Sequence, residues 1–412
     1  MNALVSDAHQ FEAKRSDPRL AQWLQQFPPA VFSERAYQSI ELMERYSIEL
    51  AIDLCRQLNL LDQLGKWRSV DELCRLLSFQ QRFKFALSWI LERLVESGCA
   101  ERRTDGQVHS YHLRQLPWRP DLKHWRAIGL TISPANAATL DLLDYAASVY
   151  PTVASSQASG DQNLLGAQGV PLWLNYFDNN NLTYAVNNWV GAVSVADHLS
   201  TRHGLRILEV GAGAGSASEI LLQLLAERSL LSRIERYLIT EPNAYFRRCS
   251  QRKLAGQYPN LALEWAPLDL DLPWNTQGIT PGEFDLVYGV NVMHISKNLL
   301  FSLNEARSAL AGDGWLVIGE CVRPYDNQPI YPELMFQILD SFTNVQTDPE
   351  IRPNPGFLTA EQWRRAFSRA GFNRARVAPD IDRIREIFPH FFTAAIYGQN
   401  SATANDSAGS RD

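Results

Sequence analysis

The residues with the clearest chemical potential lie in one stretch near the middle of the chain, 206–216. An apolar run over Ile207–Val210 predicts a buried parallel strand, and the turn after it leads into an apolar helical segment. The turn alternates an acid and three glycines: Glu209, Gly211, Gly213 and Gly215. Glycines at such a turn let the backbone take positive φ and let a ligand approach closely.

The spacing of this turn distinguishes between two classes of cofactor. A dinucleotide-binding turn has Gly-x-Gly-x-x-Gly, whose third glycine packs the helix on the strand, whereas this chain has Ser216 there. The carboxylate of Glu209 would repel a pyrophosphate and suits a ligand that carries an ammonium group. The combination favours S-adenosylmethionine over NAD. The alternative for the motif by itself is a tight βα turn without a ligand.

Ionisable side chains also follow four later predicted strands. The carboxyl ends of parallel strands form the edge where open sheets bind ligands. The predicted strands and the residues that follow them are 237–240 with Glu241, 261–268 with Asp269, 284–292 with His294, and 315–319 with Glu320. At this edge Glu241 is placed to hold a ribose diol and Asp269 to receive an adenine amino group.

His294 and Glu320 together predict a general base. Methyl transfer from a sulfonium is an in-line displacement, and a neutral nucleophile must also lose a proton. Histidine suits that role near neutral pH, and a carboxylate on the adjacent strand would fix its tautomer. The structural alternatives are a capping or core histidine, and a Glu320 that pairs with Arg323. Asn291 could bind the cofactor through its amide or merely satisfy backbone groups.

Other segments predict the walls of the site. An aromatic helical stretch could line an acyl pocket or form ordinary core: Tyr176, Phe177, Tyr184 and Trp189. The long, Pro-rich segment 325–357 is typical of a lid over an active site. Arg352 within it could touch substrate, although a solvated arginine is the simpler expectation.

Composition limits the class of protein. The chain has 412 residues, 45% of them apolar, which fits two or three globular domains at about 150 residues each. The net charge of −6 gives no general case for nucleic acid. Five scattered cysteines without a CxxC pair favour neither a disulfide framework nor a metal site. No apolar run spans a bilayer, and residues 1–14 lack the pattern of a signal peptide, so we expect a cytoplasmic location.

The order of predicted elements gives the domain plan. We predict an N-terminal extension (1–35), a helical winged-helix-like domain (36–125), linker and lid helices (126–200), a cofactor-binding α/β domain (201–399) and a disordered tail (400–412). The α/β domain is expected to have a Rossmann-like, mostly parallel sheet with late antiparallel pairing. Within the linker, 155–168 is predicted to be a Ser/Gly/Gln-rich loop.

Over roughly residues 35–399 the chain resembles the C-methyltransferase domains of polyketide synthases, a class I group of S-adenosylmethionine-dependent enzymes. The segments that carry the resemblance are 164–172, the glycine loop after Glu209, 267–271 with Gln277 and Gly278, 291–294, and 314–320. The chain departs from the family at Ala214, often Thr there, and at Glu241, often Asp. Family members usually lie inside a megasynthase, and we expect no carrier-protein or ketosynthase segment in this chain.

The resemblance implies a function and a set of site residues. The cofactor would be held by Glu209, Gly211, Gly213, Gly215, Glu241 and Asp269, to which Leu270 and Asn291 are added as candidates. The catalytic dyad would be His294 and Glu320. The expected reaction is methylation of the α-carbon of a β-ketoacyl thioester, whose two carbonyls acidify that carbon enough for an imidazole to take its proton.

Two alternative functions remain open. An O-methyltransferase acting on a phenol, enol or hydroxyl also places a histidine after strand four and a glutamate after strand five. Many of those enzymes have Asp directly after the histidine, where this chain has Ile295. A DNA-binding regulator that only senses S-adenosylmethionine fits less well, because the chain is acidic and has a complete His–Glu pair.

The expected partners follow from the preferred function. They are a small-molecule or carrier-bound acyl substrate and, as a candidate, an acyl carrier protein; neither nucleic acid nor a membrane is expected. Basic residues outnumber acidic ones between Lys66 and Arg126. That excess could form a docking face for an acidic carrier protein or be simply a solvated surface.

Overall fold

The computed structural model describes residues 18–106, 108–156, 158–199, 202–326 and 328–400. Most of the predicted N-terminal extension before Pro18, and all of the predicted tail after residue 400, lie outside these ranges. None of the helices in the described ranges is both long and apolar enough to cross a membrane.

A seven-stranded sheet forms the centre of the C-terminal half. Its strands are β4 (Leu205–Glu209), β5 (Ile234–Thr240), β6 (Leu263–Ala266), β7 (Phe284–Val290), β8 (Leu310–Cys321), β9 (Asn373–Ala378) and β10 (Thr393–Gln399). The order is β6-β5-β4-β7-β8-β10-β9, and β10 pairs antiparallel with both β8 and β9. The predicted parallel sheet with late antiparallel pairing is therefore confirmed.

Two small strand pairings and three helices form the N-terminal module. These elements are α2 (Glu34–Gln57), β1 (Arg68–Ser69), α3 (Val70–Leu76), α4 (Lys84–Glu96), β2 (Ala100–Asp105) and β3 (Val108–Leu113), preceded by α1 (Pro18–Leu24). The strand order is β1-β3-β2. Ser69 caps α3 in a capping box with Glu72, as its spacing predicts.

The middle of the chain is helical. It contains α5 (Leu122–Ile132), α6 (Ala137–Ser155), α7 (Gly160–Leu164), α8 (Gly169–Tyr176) and α9 (Leu182–Leu199). The prediction of a continuous loop over 155–168 is wrong at α7, because Ser159 and Gln162 form a capping box that starts a helix there. A side chain on Gly160 would collide with the Ile338 carbonyl, so α7 packs closely on the segment after β8.

The remaining helices cover the sheet or follow β8. They are α10 (Ser216–Glu227), α11 (Ala244–Gln257), α12 (Leu299–Ala309), α13 (Glu333–Phe336), α14 (Asp340–Thr343), α15 (Ala360–Arg369) and α16 (Ile381–Ile387). Residues 325–357, which we call the insert, contain α13 and α14 between β8 and α15.

Two hydrophobic cores meet at the ligand-binding edge of the sheet. One surrounds the sheet and includes α9 together with N-terminal residues such as Leu20 and Phe32. The other joins α2–α4, α6 and α8 to the insert, through residues such as Tyr331 and Phe342. The insert thus belongs by packing to the helical half, although it follows a sheet strand in the chain.

Candidate active site

The glycine turn after β4 leaves open space at one of its three glycines. All three have positive φ, and a side chain on Gly211 would overlap Val292, with its Cβ only 2.1 Å from Val292 Cγ2. Gly213, with φ of 55°, has no atom within 4 Å of where its Cβ would stand. A ligand can therefore approach the backbone at Gly213, which is the use of glycine expected at such a turn.

Glu209 is a buried carboxylate with one oxygen left without a partner. Its Oε2 accepts hydrogen bonds from the hydroxyls of Ser218, at 2.7 Å, and Tyr237. Its Oε1 has no hydrogen-bond partner among the described residues, and the residue is fully buried. Burial raises the pKa of Glu209 to about 7, although the two donated hydrogen bonds act to lower it. The unpartnered oxygen of Glu209 could accept a hydrogen bond from a cationic ligand.

Glu241, at the end of β5, lies directly against the glycine turn. Its Oε2 accepts from the Gly213 N–H at 3.0 Å, and its Oε1 accepts from the Asn243 N–H at 2.8 Å. Burial raises the pKa of Glu241, while these two backbone hydrogen bonds lower it. The structure therefore brings together the acid of the second strand and the glycine turn of the first.

Asp269 and Leu270, which follow β6, have local roles. Asp269 is exposed, and its Oδ1 accepts from the Asp271 N–H at 2.9 Å while its backbone bonds the Gln277 side chain. Leu270 is buried in the sheet core, and its carbonyl accepts from Ser302. Neither side chain lines the cavity described below.

Asn291 lies at the end of β7 with a positive φ of 50°. Its Oδ1 accepts from the Cys321 N–H at 2.9 Å, and its own N–H donates to Gly319 at 2.7 Å. The residue ties the ends of β7 and β8 together, and it also lines the cavity.

His294 and Glu320 form a buried pair across β7 and β8. His294 lies in a short 3-10 turn, Met293–Ile295, just after β7, and Glu320 lies near the end of β8. The distance from His294 Nδ1 to Glu320 Oε2 is 2.6 Å. Glu320 Oε1 accepts from the N–H groups of Val292, at 3.2 Å, and Met293, at 2.9 Å. Arg323, the alternative partner of Glu320, instead bonds Glu333 at 2.7 Å.

This arrangement leaves one nitrogen of the imidazole ring, Nε2, free to act as a base. With Nδ1 donating to a carboxylate, the other nitrogen, Nε2, is the acceptor in the neutral ring. Nε2 has no hydrogen-bond partner among the described residues. The rings of Phe342 and Phe357 lie over His294, with centroids 5.6 and 4.6 Å from the imidazole. The pair can therefore accept a proton at Nε2 in surroundings that exclude water.

One apolar cavity connects the glycine turn with His294. Of the predicted site residues, it is lined by Gly211, Gly213, Asn291 and His294. The aromatic residues on its walls are Trp173, Tyr176, Phe177 and Tyr184 from α8 and α9 and the segment between them, Phe246 from α11, and Phe336, Phe342 and Phe357 from the insert. No Asp, Glu, Lys or Arg among the described residues lines it. Trp189, the fourth predicted aromatic, packs in the sheet core instead.

The insert contributes residues that sequence reasoning missed. A lid over the site is predicted from its length and proline content, but the three insert phenylalanines at the cavity follow no helical or strand period. The expectation that Arg352 is solvated is wrong, because the residue is 1% exposed.

Comparison with curated sequences finds polyketide synthases. The chain is 26% identical to polyketide synthase PksR of Bacillus subtilis (strain 168) over 242 residues, which are 57% of this chain and 9% of that protein. It is 32% identical to the highly reducing polyketide synthase resH of Aspergillus sclerotiorum over 176 residues, 43% of this chain and 6% of that protein. The matches thus span less than a tenth of these relatives. No family model matches the chain.

Comparison with solved structures finds carbon methyltransferases. The CurJ carbon methyltransferase has a TM-score of 0.74 at 22% identity, covering 95% of this chain and 99% of that one. The DszA carbon methyltransferase has a TM-score of 0.70 at 22% identity, covering 97% and 96%. An O-methyltransferase family 2 protein from Planctomyces limnophilus, in complex with apigenin, has a TM-score of 0.50 at 18% identity, covering 91% and 97%. The predicted class I methyltransferase fold and the likeness to polyketide synthase C-methyltransferase domains are confirmed.

Proposed function

We propose that this chain, which has the class I methyltransferase fold and polyketide synthases as sequence relatives, is an S-adenosylmethionine-dependent methyltransferase of polyketide biosynthesis. Its acceptor is the α-carbon of a β-ketoacyl thioester carried by an acyl carrier protein or coenzyme A. The observation that supports this most is the buried His294–Glu320 pair, which leaves the Nε2 atom of His294 without a partner among the described residues. His294 lines an apolar cavity that reaches the glycine turn.

The residues at the glycine turn fit the cofactor. The unpartnered Oε1 of Glu209 suits an ammonium group, and the open space at Gly213 admits a close approach to the backbone. Glu241 lies beside Gly213, where a carboxylate can accept hydrogen bonds from a ribose diol. When bound, S-adenosylmethionine would supply an electrophilic methyl group.

Glu209 gives the affinity for the cofactor a predictable pH dependence. Below pH 7 the carboxyl group is protonated in the free protein, and binding of an ammonium must release that proton. We therefore expect affinity to rise with pH up to about 7 and to fall again above about 8, where an α-amino group loses its charge. Calorimetry from pH 5.5 to 8.5, in buffers of different ionisation enthalpy, measures both affinity and proton release.

Glu209→Gln is the matched control for this prediction, because it keeps the size of the side chain and one acceptor oxygen for Ser218 and Tyr237 but cannot ionise. The variant should bind the cofactor weakly at every pH, and its affinity should not rise between pH 5.5 and about 7. If the cofactor affinity of Glu209→Gln rose with pH as steeply as that of the wild type, the titrating group would be another residue.

The chain's own residues would generate the nucleophile. Two carbonyls acidify the α-carbon, and His294 Nε2 takes its proton while the C–H electron pair stays on the substrate as an enolate. Glu320 stabilises the imidazolium through the hydrogen bond at Nδ1 and keeps the ring in the tautomer that leaves Nε2 free. The aromatic walls exclude water and position the acyl group, which supports reaction of a desolvated enolate.

The alternative is an O-methyltransferase that uses the same base on a phenol, enol or hydroxyl. The likeness to the Planctomyces O-methyltransferase, at a TM-score of 0.50, supports it. The higher TM-scores of the carbon methyltransferases, together with Ile295 after the histidine, favour carbon as the nucleophile.

The position of the new methyl group distinguishes carbon from oxygen methylation, and deuterium loss tests whether the α-carbon is deprotonated. A β-ketoacyl carrier protein deuterated at the α-carbon should gain one methyl group and lose one deuterium, as measured by intact-mass analysis. The product should keep its ketone. Exchange of deuterium with solvent is also expected with a cofactor analogue that lacks the methyl group, because proton removal can precede transfer. A methoxy group on the product would support the alternative, because O-methylation of the enol also removes one α-deuterium and differs only in where the methyl group is attached.

A further inference from the structure

Arg352 is the one arginine from the insert whose side chain bonds the backbone of the His294 turn. It lies between α14 and α15, in a stretch without regular secondary structure, and is 1% exposed. Its Nη1 donates to the Ser296 carbonyl at 2.7 Å, and its Nη2 donates to the His294 carbonyl. A buried guanidinium is costly unless its donors are satisfied, and these two carbonyls satisfy Nη1 and Nη2, while Nε has no partner among the described residues.

Arg352 and Glu320 both bond the backbone of the same short turn: Glu320 bonds its N–H groups, and Arg352 bonds its carbonyls. Glu320 accepts the N–H groups of Val292 and Met293 and bonds the imidazole Nδ1. Arg352 takes the carbonyls of His294 and Ser296, a short distance further along the chain. The backbone that carries His294 is thereby fixed on both sides by charged side chains, whose hydrogen bonds are stronger than neutral ones.

The insert is itself tied to this place by backbone contacts. Arg352 and Asp348 exchange two backbone hydrogen bonds of 2.8 Å each, and the Gln346 N–H donates to the Lys297 carbonyl at 2.7 Å. Arg369 of α15 bonds the Asp348 carboxylate at 2.8 Å. The position of the guanidinium therefore follows the position of the insert.

The charge of Arg352 persists in this buried place. Burial lowers its pKa to about 10, while the charge of Glu320, and that of Asp271, act to raise it. The guanidinium is thus cationic at neutral pH. The Arg352 cation lies at one side of the turn and the Glu320 carboxylate at the other, and their attraction offsets part of the free-energy cost of burying the two charges.

We propose that Arg352 is a positioning residue for the base, which acts through His294 by holding its backbone and makes the base's geometry depend on the position of the insert. The inference rests on the proposed role of His294. It assigns to the insert a function beyond covering the cavity, because the insert supplies the charged donor for the carbonyls of His294 and Ser296.

Four single variants and one double variant test this role. Arg352→Met keeps an unbranched apolar stem and removes the donors, and Arg352→Lys keeps a positive charge and one donor group. Arg82→Met is the matched control, because Arg82 also donates to two backbone carbonyls, those of Ser156 and Ala158, away from the His294 turn. His294→Ala and its combination with Arg352→Met complete a double-mutant cycle.

The expected result is a loss in kcat rather than in KM. A base displaced by about 1 Å can cost about 100-fold in rate, so Arg352→Met should lose about that much in kcat. KM and cofactor affinity should change less than about threefold, because the residue touches neither ligand site; Arg352→Lys should recover part of the rate. In the His294→Ala background, Arg352→Met should cause no further loss.

A readout independent of turnover keeps this test separate from the proposed function. In NMR spectra of histidine-labelled protein, the His294 imidazole signal, identified by its absence in His294→Ala, should broaden or split in Arg352→Met and stay single in Arg82→Met. An unchanged His294 signal together with wild-type kcat would overturn the proposal, as would an equal loss in both backgrounds of the cycle. Failure of the wild-type protein to transfer methyl groups would instead count against the proposed function.

Discussion

His294→Ala is expected to reduce turnover of a β-ketoacyl thioester by about 10²–10⁴-fold, the usual contribution of a positioned general base. His294 is the one histidine among the described residues that line the cavity, no Asp, Glu, Lys or Arg among them lines it, and the imidazole Nε2 is unpartnered. Cofactor affinity should stay close to wild type, because the groups at the glycine turn are untouched. Steady-state kinetics and calorimetry measure the two effects separately.

His198→Ala is a suitable control for this variant. His198 is a partly buried histidine whose Nδ1 lies 2.6 Å from the Ser194 carbonyl and whose ring packs on Trp315, outside the cavity. It should retain nearly full turnover. A His294→Ala protein that matched wild type with this substrate would eliminate the dyad as the source of the base.

Glu320→Gln should be as harmful as the loss of the base, although a residue that only orients a base is expected to matter less. Glu320 Oε1 accepts two backbone N–H groups, so a glutamine would keep its carbonyl oxygen there. Its amide NH₂ would then face Nδ1, which forces the ring into the tautomer with the proton on Nε2. The base would be blocked, in the way that an amide substitution disables a Ser-His-Asp triad.

Gly213→Val is expected to abolish cofactor binding. Wild-type affinity should be in the micromolar range, on the order of −8 kcal/mol. The valine would place a branched side chain in the open space beside the turn and strain a backbone with φ of 55°. Calorimetry with S-adenosylmethionine, with NAD as a second ligand, measures the outcome.

Gly98→Val separates strain from occlusion. Gly98 also has positive φ, 76°, and open space for a side chain, but it lies between α4 and β2 in the N-terminal module. We expect a similar drop in Tm and unchanged cofactor affinity. Tight NAD binding without a response to S-adenosylmethionine would overturn the cofactor assignment.

The sequence predicts the parts of the site that depend on strand order and local spacing. Glu209 ends its apolar strand, and Glu241 and His294 follow theirs, so parallel pairing brings them to one edge. The His294–Glu320 contact follows from the pairing of β7 with β8, where Val290 lies opposite Gly319. These inferences need only the sheet.

The sequence does not predict contacts made by irregular chain. Arg352 and the insert phenylalanines have no period that would reveal which face they present, and their partners are distant in sequence. Asp269 follows an apolar run that resembles a strand up to Leu268, yet β6 ends at Ala266 and the acid is exposed. Turn chemistry over 267–277 decides its position, and a side-chain amide from Gln277 is part of that turn.

The buried carboxyl group of Glu209, with its unpartnered oxygen, affects the stability of the folded protein. Its folded-state pKa of about 7 exceeds the ordinary 4.5, so the folded state binds more protons between these values. Stability of the empty protein therefore falls as pH rises through that window and levels off above it. Under the proposed function, the ammonium group of the bound cofactor would neutralise this buried charge, and the occupied protein would escape the penalty. Starvation for the cofactor would thus leave the protein easier to unfold and degrade, which links its abundance to the supply of methyl donor.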